Sequence, residues 1–530
     1  MTAHVDTFAR DHLPPPALMP ELLFELPELQ FPLQLNATVA LLDERIASDG
    51  GRPCVLGTGV HWTYVELQAQ VDRIARVLVE DLGLVPGNRV LLRGANSPML
   101  AACFLAVFKA GGIAVGSMPL LRARELKTII GKAQVSHALC DSRLLDELDA
   151  AAADCPTLTR RMSFHNGTLE AAMATKPPGF EALRTEAEDI ALMAFTSGTT
   201  GVPKGTMHSH RDILAACACW PPHVLRPVAD DVFIGSPPLG FTFGLGGLLL
   251  FPLSVGASTV LLEKASPDVL PAAIAEWRAT VCFTAPTSYR AMAPQVAAHD
   301  LSSLRKCVSA GEALPAATRA LWFDATGIQI IDGIGSTEML HIFISADEAQ
   351  ARPGATGVPV PGYRAAIVDD DGHELPPGQV GRLAVKGPTG CKYLADDRQA
   401  TYVQNGWNLT GDAYLVDDAG HYVYQARTDD MIVTGGYNVA GPDVEGALLL
   451  HPAVAECGVI GAPDPERGQI IKAVVVLKPG HAGDAAMAKT LQDFVKQTIA
   501  PYKYPRAIEF RATLPRTETG KLQRFKLKDG

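Results

Sequence analysis

The sequence predicts an α/β fold that passes into a smaller α+β unit, and three observations carry that prediction. First, short apolar runs alternate with helical stretches through most of the chain. "NRVLLRG", "PMLAACFLAVFKAG", "GIAVGS", "LRARELKTIIGKA" and "SHALC" follow one another, and the rhythm returns at "TVLLEKA", "PDVLPAAIAEWRA", "VCFTAP", "KCVSAGEAL" and "IQIIDG". Strands that alternate with helices form parallel sheets covered by helices. Second, the texture changes from about Gly354. "GYRAAIVDDDGHELPPGQVGRLAVKGPT" and "AYLVDDAGHYVYQART" hold short strands joined by D-D-G and D-D-A-G turns, the mark of an antiparallel, β-barrel-like region. Third, past "RTDDMIVTGG" the helix "DVEGALLLHP", the strands "AECGVIGA" and "IIKAVVVLKPG" and the helix "AAMAKTLQDFVKQTIA" make a compact α+β unit. The expected division is a large N-terminal domain over 1–428 and a small C-terminal domain over 429–530.

The best-marked helix is "WTYVELQAQVDRIARVLVEDLG". Thr63 and Glu66 have capping-box spacing, and Leu67, Val71, Ile74, Leu78 and Leu82 recur along one face. "LGFTFGLGGLLLFPLSVGASTVLL", residues 239–262, runs without a charge and is long enough to span a bilayer. Its glycines, proline and serines divide it, and it has no basic flank, so it is expected to be a buried loop, helix and strand. No fixed-period repeat is seen.

The bulk numbers narrow the classes. The chain has 530 residues, 47% of them hydrophobic and 19% charged, so a large core is easily built. A net charge of −11 argues against a general nucleic-acid binder. The charge is uneven: from Asp430 onward thirteen Lys and Arg face eleven Asp and Glu, leaving about −13 for the rest, and Pro501–Lys528 holds eight basic residues and two acidic ones. That stretch is either a solvated face or a surface that meets phosphates. The ten cysteines contain no C-x-x-C, and Cys217 and Cys219 have no second pair at metal spacing, so all read as reduced core thiols. The N-terminus lacks a basic start and apolar core, so a cytoplasmic protein is expected.

The chemistry is concentrated in "TSGTTGVPKG", Thr196 to Gly205. Glycines let backbone N–H groups approach an anion, hydroxyls add donors and Lys204 adds charge. The parts are those of a phosphate loop, yet not the G-x-x-x-x-G-K-[ST] form, because Pro203 precedes and Gly205 follows the lysine. A flexible surface turn has a similar composition. In "MHSHRD", His208 and His210 stand as H-x-H, but no further Cys or His clusters near them, so a zinc site is not expected.

The order of residues in that loop resembles the adenylate-forming superfamily of acyl-CoA synthetases, luciferases and adenylation domains. Five further elements follow in the same order: "SAGEAL", "IGSTE", "TGD", "RTDDMIVTGGYN" and "PRTETGK". The resemblance covers essentially the whole chain. It implies that Thr196, Ser197, Gly198, Thr199, Thr200 and Lys204 hold the outer phosphates of ATP. It places Ala310, Gly311, Glu312, Asp332 and Gly333 at the nucleotide, and Asp412 with Arg427 at its ribose. Thr337 would donate to the α-phosphate, Glu338 would bind Mg²⁺, and Lys521 would bridge the substrate carboxylate and the α-phosphate. Asp429 matches a hinge about which the C-terminal domain turns, and Gly435, Gly436 and Tyr437 fall where coenzyme A would thread.

Within the superfamily, "IDGIGSTEMLHIFIS" resembles the benzoate-CoA and 2-aminobenzoate-CoA ligase branch, as do "GVPVPGYRAAIVDDDG" and "DTFARDHLPPP". Adenylation domains for α-amino acids usually carry an aspartate where this chain has "GFTFGLG", so an amino acid is not the expected substrate. Phe241, Phe243, Gly335 and His341 are expected to line a flat aryl pocket. Ile334 stands where many members have a tyrosine against adenine, a departure the branch shares. The implied activity is ATP-dependent aryl-CoA ligation by way of an acyl-AMP, with no nucleic acid or membrane partner and a monomer or homodimer as the assembly. A stand-alone enzyme that loads an aryl acid onto a carrier protein, and a non-catalytic binding protein of the same fold, are the alternatives.

Overall fold

The computed structural model describes residues 2–196, 203–428, 430–434, 437–464, 468–516 and 521–528. Among these, two large sheets form the α/β body. One has six strands in the order Arg160–Phe164, His137–Asp141, Arg89–Arg93, Ile113–Ser117, Ile190–Thr196, Lys204–Ser209, parallel except for its last pair. The other has nine. Its middle, Pro53–Gly57, Ser258–Val260, Val232–Gly235, Val281–Thr284, Lys306–Ala310 and Ile330–Gly335, is parallel, and antiparallel strands close both edges. Helix Pro98–Lys109 is buried along nearly its whole length, as a helix apolar all round must be.

The helix read from "WTYVELQ" starts at Tyr64 with both halves of its capping box made: Glu66 N–H donates to Thr63 Oγ1 at 3.3 Å and Thr63 N–H to Glu66 Oε2 at 2.8 Å. It runs to Arg76 and ends in a π turn, Val77–Asp81, so the apolar stripe outlasts the regular helix. The uncharged stretch 239–262 breaks into Thr242–Leu245, Gly246–Leu250, Phe251–Val255 and the strand Ser258–Val260, nearly all buried. Of "TVLLEKA", only Thr259 and Val260 therefore lie in a strand. No described helix is long and apolar enough to cross a membrane. The ten cysteines are unpaired, nine of them buried.

The D-D-G and D-D-A-G turns join antiparallel pairs. Arg364–Val368 pairs with Gly381–Lys386, and Trp407–Val416 with both Gly381–Lys386 and Tyr422–Arg427. The C-terminal part holds the sheet Val454–Asp464, Gly468–Leu477 and Ala507–Phe510, covered by helices Gly441–Leu449 and Ala485–Thr498.

Behind the nine-stranded sheet, Trp322 on helix Ala316–Thr326 is fully buried and meets the Tyr289 ring edge to face at 4.9 Å. Trp322→Ala is expected to cost about 3–5 kcal/mol, read as a lowered thermal unfolding midpoint.

Candidate active site

Two parallel strands of the nine-stranded sheet end side by side, with Ala310 registered against Gly333. The crevice beyond the carboxyl ends of such strands is where α/β sheets bind ligands. Past Ala310 the chain turns through Gly311 at φ +92°, a conformation that favours glycine. A Cβ on Gly311 would lie 3.3 Å from Lys521 Cε and 3.9 Å from Nζ, so the Lys521 ammonium sits over this turn. Arg516 brings that segment in: it donates to Glu312 at 3.4 Å and to Glu456 at 2.8 Å. Water reaches Lys521 along the cleft, yet protein surrounds it closely enough that desolvation lowers its pKa, against the opposing charges of Glu312, Asp412 and Glu338.

Past Gly335 the chain reverses into Ile342–Ser345 through the turn Ser336–Leu340. Met339 N–H donates to Ser336 Oγ and Leu340 N–H to the Thr337 carbonyl, both at 3.2 Å. Leu340 takes φ +70°, rare for a residue with a side chain. This turn carries Thr337 and Glu338. A Cβ on Gly335 would fall 2.5 Å from the His341 carbonyl, so only glycine fits where the two strands close.

Glu338 is buried and its Oε1 accepts a hydrogen bond from Tyr393 OH. Lys204 Nζ donates to the same hydroxyl at 3.3 Å and lies 5.3 Å from the ring centre. Lys204 is registered against Thr196 on the hairpin that carries the glycine-rich loop. Tyr393 thus ties the exit of that loop to the carboxylate of the turn. The sequence analysis missed Tyr393, because "CKYLADD" has no local pattern of its own. One hard carboxylate with an oxygen left over suits a cation that keeps several waters and is shared with phosphates. Among the described residues the one cluster able to hold a metal by itself is the partly exposed turn Asp369, Asp371, His373, and H-x-H forms none: His208 meets the Thr337 carbonyl while His210 accepts from Ala37 N–H.

At the other side, Asp412 and Arg427 face each other across a strand pair, with Arg427 donating to Asp412 Oδ1 at 3.2 Å and to the Thr410 carbonyl at 3.0 Å. Burial still raises the Asp412 pKa, with Arg427 opposing. Asp332 lies on the strand that leads to the turn, and its Oδ1 is buried with no hydrogen-bond partner among the described residues. Burial pushes its pKa up to about 7, against Arg319. Glu312 is raised for the same first reason, with Arg516 and Lys521 opposing.

Beside the turn is an aromatic cluster. His341 is 4% exposed and packs on Phe251 at 4.4 Å, Phe243 at 5.6 Å and Trp220 at 5.8 Å between ring centres. Phe283 packs tilted against Phe243 at 5.7 Å. Gly246 lets the ring in, since a Cβ there would lie 2.4 Å from His341 Cδ2. His341 Nε2 is 3.4 Å from the Phe243 carbonyl, Nδ1 has no partner among the described residues, and burial lowers the pKa to about 3, so the imidazole is neutral. Among the described residues it is Phe243, not Phe241, that makes ring contacts with His341; Phe241 caps the helix that Phe243 sits in. Trp220, Phe251 and Phe283 were not anticipated, since each lies in an apolar run that reads as ordinary core.

The family model for AMP-binding enzymes matches residues 42–393, and the model for the AMP-binding enzyme C-terminal domain matches 443–521. The chain belongs to the AMP-binding enzyme family. It is 36% identical to a benzoate–CoA ligase of Thauera aromatica over 95% of this chain and 97% of that protein. It is 33% identical to a 4-hydroxybenzoate–CoA/benzoate–CoA ligase of Rhodopseudomonas palustris, covering 93% and 94%. Among solved structures it superposes on the anthranilate CoA ligase AuaEII in complex with anthranoyl-AMP with a TM-score of 0.92 at 35% identity, covering 95% of this chain and 98% of the other. A benzoate CoA ligase from Burkholderia xenovorans gives 0.85 at 33%, covering 93% and 99%.

As an AMP-binding enzyme, the chain brings Lys204, Glu338, Glu312, Asp412 and Lys521 to one cleft, with Asp332 and Arg427 at its flank. Ser197, Gly198, Thr199, Thr200, Asp429, Gly435 and Gly436 lie outside the described residues. Tyr437 opens the strand Tyr437–Val439, paired with Ile432–Thr434.

Asp332 gives a signed prediction. Its folded pKa, about 7, exceeds the ordinary 3.8, so folding binds a proton and stability falls as pH rises from about 4 to 7. Asp332→Asn removes that charge. The variant is expected to gain stability by on the order of a few kcal/mol above pH 7 and little at pH 4, read from unfolding midpoints at both ends.

Proposed function

We propose that this AMP-binding enzyme is an ATP-dependent aryl-CoA ligase, acting on an acid of the benzoate or 2-aminobenzoate type. One observation carries the reading: Lys521, under the charges of Glu312, Asp412 and Glu338 at once, lies over Gly311, and the turn that carries Glu338 runs on into His341 and its aromatic cluster. The names of the relatives support it, since they act on benzoate and 4-hydroxybenzoate, and one holds anthranoyl-AMP.

In this reading a carboxylate oxygen of the acid attacks the α-phosphorus of ATP, and the bond to the β-phosphate oxygen breaks. Both reactants are anions, so fixed positive charge and donors must meet where charge moves. Lys521 bridges the carboxylate and the α-phosphate, Thr337 donates to the α-phosphate, and Lys204 steadies the leaving pyrophosphate. Asp412 and Arg427 hold the ribose, and Asp332 accepts from the nucleotide base. Glu338, aimed by Tyr393, would hold Mg²⁺, which neutralises phosphate charge when bound. The thiol sulfur of coenzyme A then attacks the acyl carbon and AMP leaves. For that step the C-terminal domain, from 429 onward, would turn about Asp429 and withdraw Lys521, opening a path past Gly435, Gly436 and Tyr437.

The test is a panel of ring-substituted benzoates and short aliphatic acids with ATP, Mg²⁺ and CoA, scored by AMP release. Aryl acids are expected to lead, and aliphatic acids ahead by tenfold or more would overturn the pocket assignment. Lys521→Ala is expected to cut acid-dependent ATP–pyrophosphate exchange at least about 100-fold, while converting supplied acyl-AMP to thioester nearly as before. Replacing CoA by a phosphopantetheinyl carrier protein separates the carrier-loading alternative, and the absence of exchange with every acid would favour a binding protein. Asp429→Pro is expected to slow thioester formation more than adenylation; equal loss in both half-reactions speaks against the hinge.

A further inference from the structure

The pair His208 and His210 is not explained by the nucleotide or the acid. His208 is the last residue but one of the strand Lys204–Ser209; its side chain is fully buried, and its Nε2 lies 2.8 Å from the Thr337 carbonyl. A carbonyl oxygen only accepts, so Nε2 carries the hydrogen. Nδ1 then holds a lone pair. It makes no hydrogen bond among the described residues and faces Asp212 Oδ2 at 3.9 Å, too far for one. Asp212 is itself fully buried, and its charge is met from the other side. Oδ2 accepts from Lys392 Nζ and from Ser209 N–H at 2.9 Å. Lys392 is 4% exposed and directly precedes Tyr393, and the main chain there runs against the same strand, with Met207 N–H donating to the Lys392 carbonyl at 2.8 Å. Neighbouring residues on an extended segment point to opposite sides. One segment therefore sends Tyr393 to Glu338 and Lys392 to Asp212.

We infer that His208, braced by the Asp212–Lys392 ion pair, is a positioning residue for Thr337: its Nε2–H fixes the Thr337 carbonyl and so sets where the Thr337 hydroxyl stands in the cleft. Asp212 and Lys392 are the charged groups facing His208, and they act on it in opposite directions. Burial, helped by Lys392 and opposed by Asp212, keeps the imidazole neutral. The role rests on the proposed function, because it is the α-phosphate donor that is being held. An interaction that matters only as charge develops lowers kcat and leaves KM alone.

Three variants and one spectrum decide it. A glutamine amide reaches the position of Nε2, an asparagine amide only that of Nδ1, and phenylalanine offers no donor. In acid-dependent ATP–pyrophosphate exchange, His208→Phe and His208→Asn are expected to lose about tenfold or more in kcat with KM for ATP within about threefold, while His208→Gln recovers to within about threefold of the native rate. Phe or Asn variants within twofold of native, or a Gln variant no better than Asn, would overturn the inference; if the Phe variant does not fold, the Asn and Gln pair carries the comparison. The spectrum is independent of turnover. With ¹⁵N-labelled histidine and the His208→Gln difference for assignment, His208 is expected as the neutral Nε2–H form at pH 6. In Lys392→Met, where Asp212 loses its cation, it is expected to become doubly protonated. A native His208 already charged, or one unmoved by Lys392→Met, would overturn the network. If the native protein exchanges no pyrophosphate with any acid, the functional reading fails and the spectrum still judges the network.

Discussion

The cleft depends on the shape of five residues, Ser336 to Leu340. The chain leaves a parallel strand at Gly335 and must return antiparallel by Ile342. Leu340 meets that demand in the left-handed region, at about 1–2 kcal/mol for a residue with a Cβ. Such a turn survives only if its surroundings determine it. Here they do, from several directions. His208 reaches the Thr337 carbonyl, and Thr389 Oγ1 donates to the Met339 carbonyl at 2.8 Å. Tyr402 OH lies 3.3 Å from Ser336 Oγ, and Tyr393 holds the Glu338 carboxylate. The four anchors come from a strand of the six-stranded sheet and from 389–402. The turn is therefore a joint between sheets as well as an element of one, and Thr337 and Glu338 are held before any ligand arrives, which is what electrostatic catalysis needs.

The carboxylates of the protein divide by the direction in which their surroundings push them. Asp396 sits well below the usual range, with the Arg398 hydrogen bonds leading, and Asp141 is lowered as the Arg143 contacts outweigh burial. Asp212 is lowered too, because Lys392 and its other partners outweigh a larger single cost of burial. These are structural charges with a partner built in. Glu312, Asp332 and Asp412 go the other way, raised by burial that their partners do not cancel, and Lys521 is lowered for the same reason. Several groups of this kind gathered in one cleft are what a ligand-binding site shows, where a ligand can supply the missing compensation. Burial of these groups costs stability, whereas behind the cleft, beside His208, Asp212 has Lys392 as its built-in counter-ion.

Much of this was legible in the sequence, and the reason lies in the range of each signal. Capping at Thr63, the alternation of strands and helices, and the antiparallel turns are local patterns, and they fold as read. The residues of the cleft were legible because each sits in a short stretch with a recognisable order: Lys204 after its glycines, Glu338 in "GSTE", Asp412 in "TGD". What escaped was contact between distant parts of the chain. Tyr393 lies 55 residues from Glu338, and Lys392 lies 180 from Asp212. Neither separation leaves a trace in composition or periodicity. His208 was visible as half of an H-x-H pair, but its meaning needed the Thr337 carbonyl, 129 residues on. The aromatic wall around His341 was half seen, through Phe243, because Trp220, Phe251 and Phe283 look like core until His341 is found among them.

The last link is between charge and the C-terminal segment. Lys521 reaches Gly311 from a part of the chain held here by polar contacts: Arg516 to Glu312, and Arg290 to the Ala455 carbonyl at 3.3 Å. Polar contacts of this sort are worth little where water reaches them. Arg516 is also shared with Glu456 on its own side, so leaving Glu312 would not strand it without a partner. Glu312 is the one that would lose: it is already raised by burial, and the three cations that oppose the rise, Arg516, Lys521 and Arg524, all come from this segment. If the segment turns as proposed, its seat and the charge of the cleft form one equilibrium: negative charge beside Lys521 would favour the arrangement seen here, and release of that charge would weaken it.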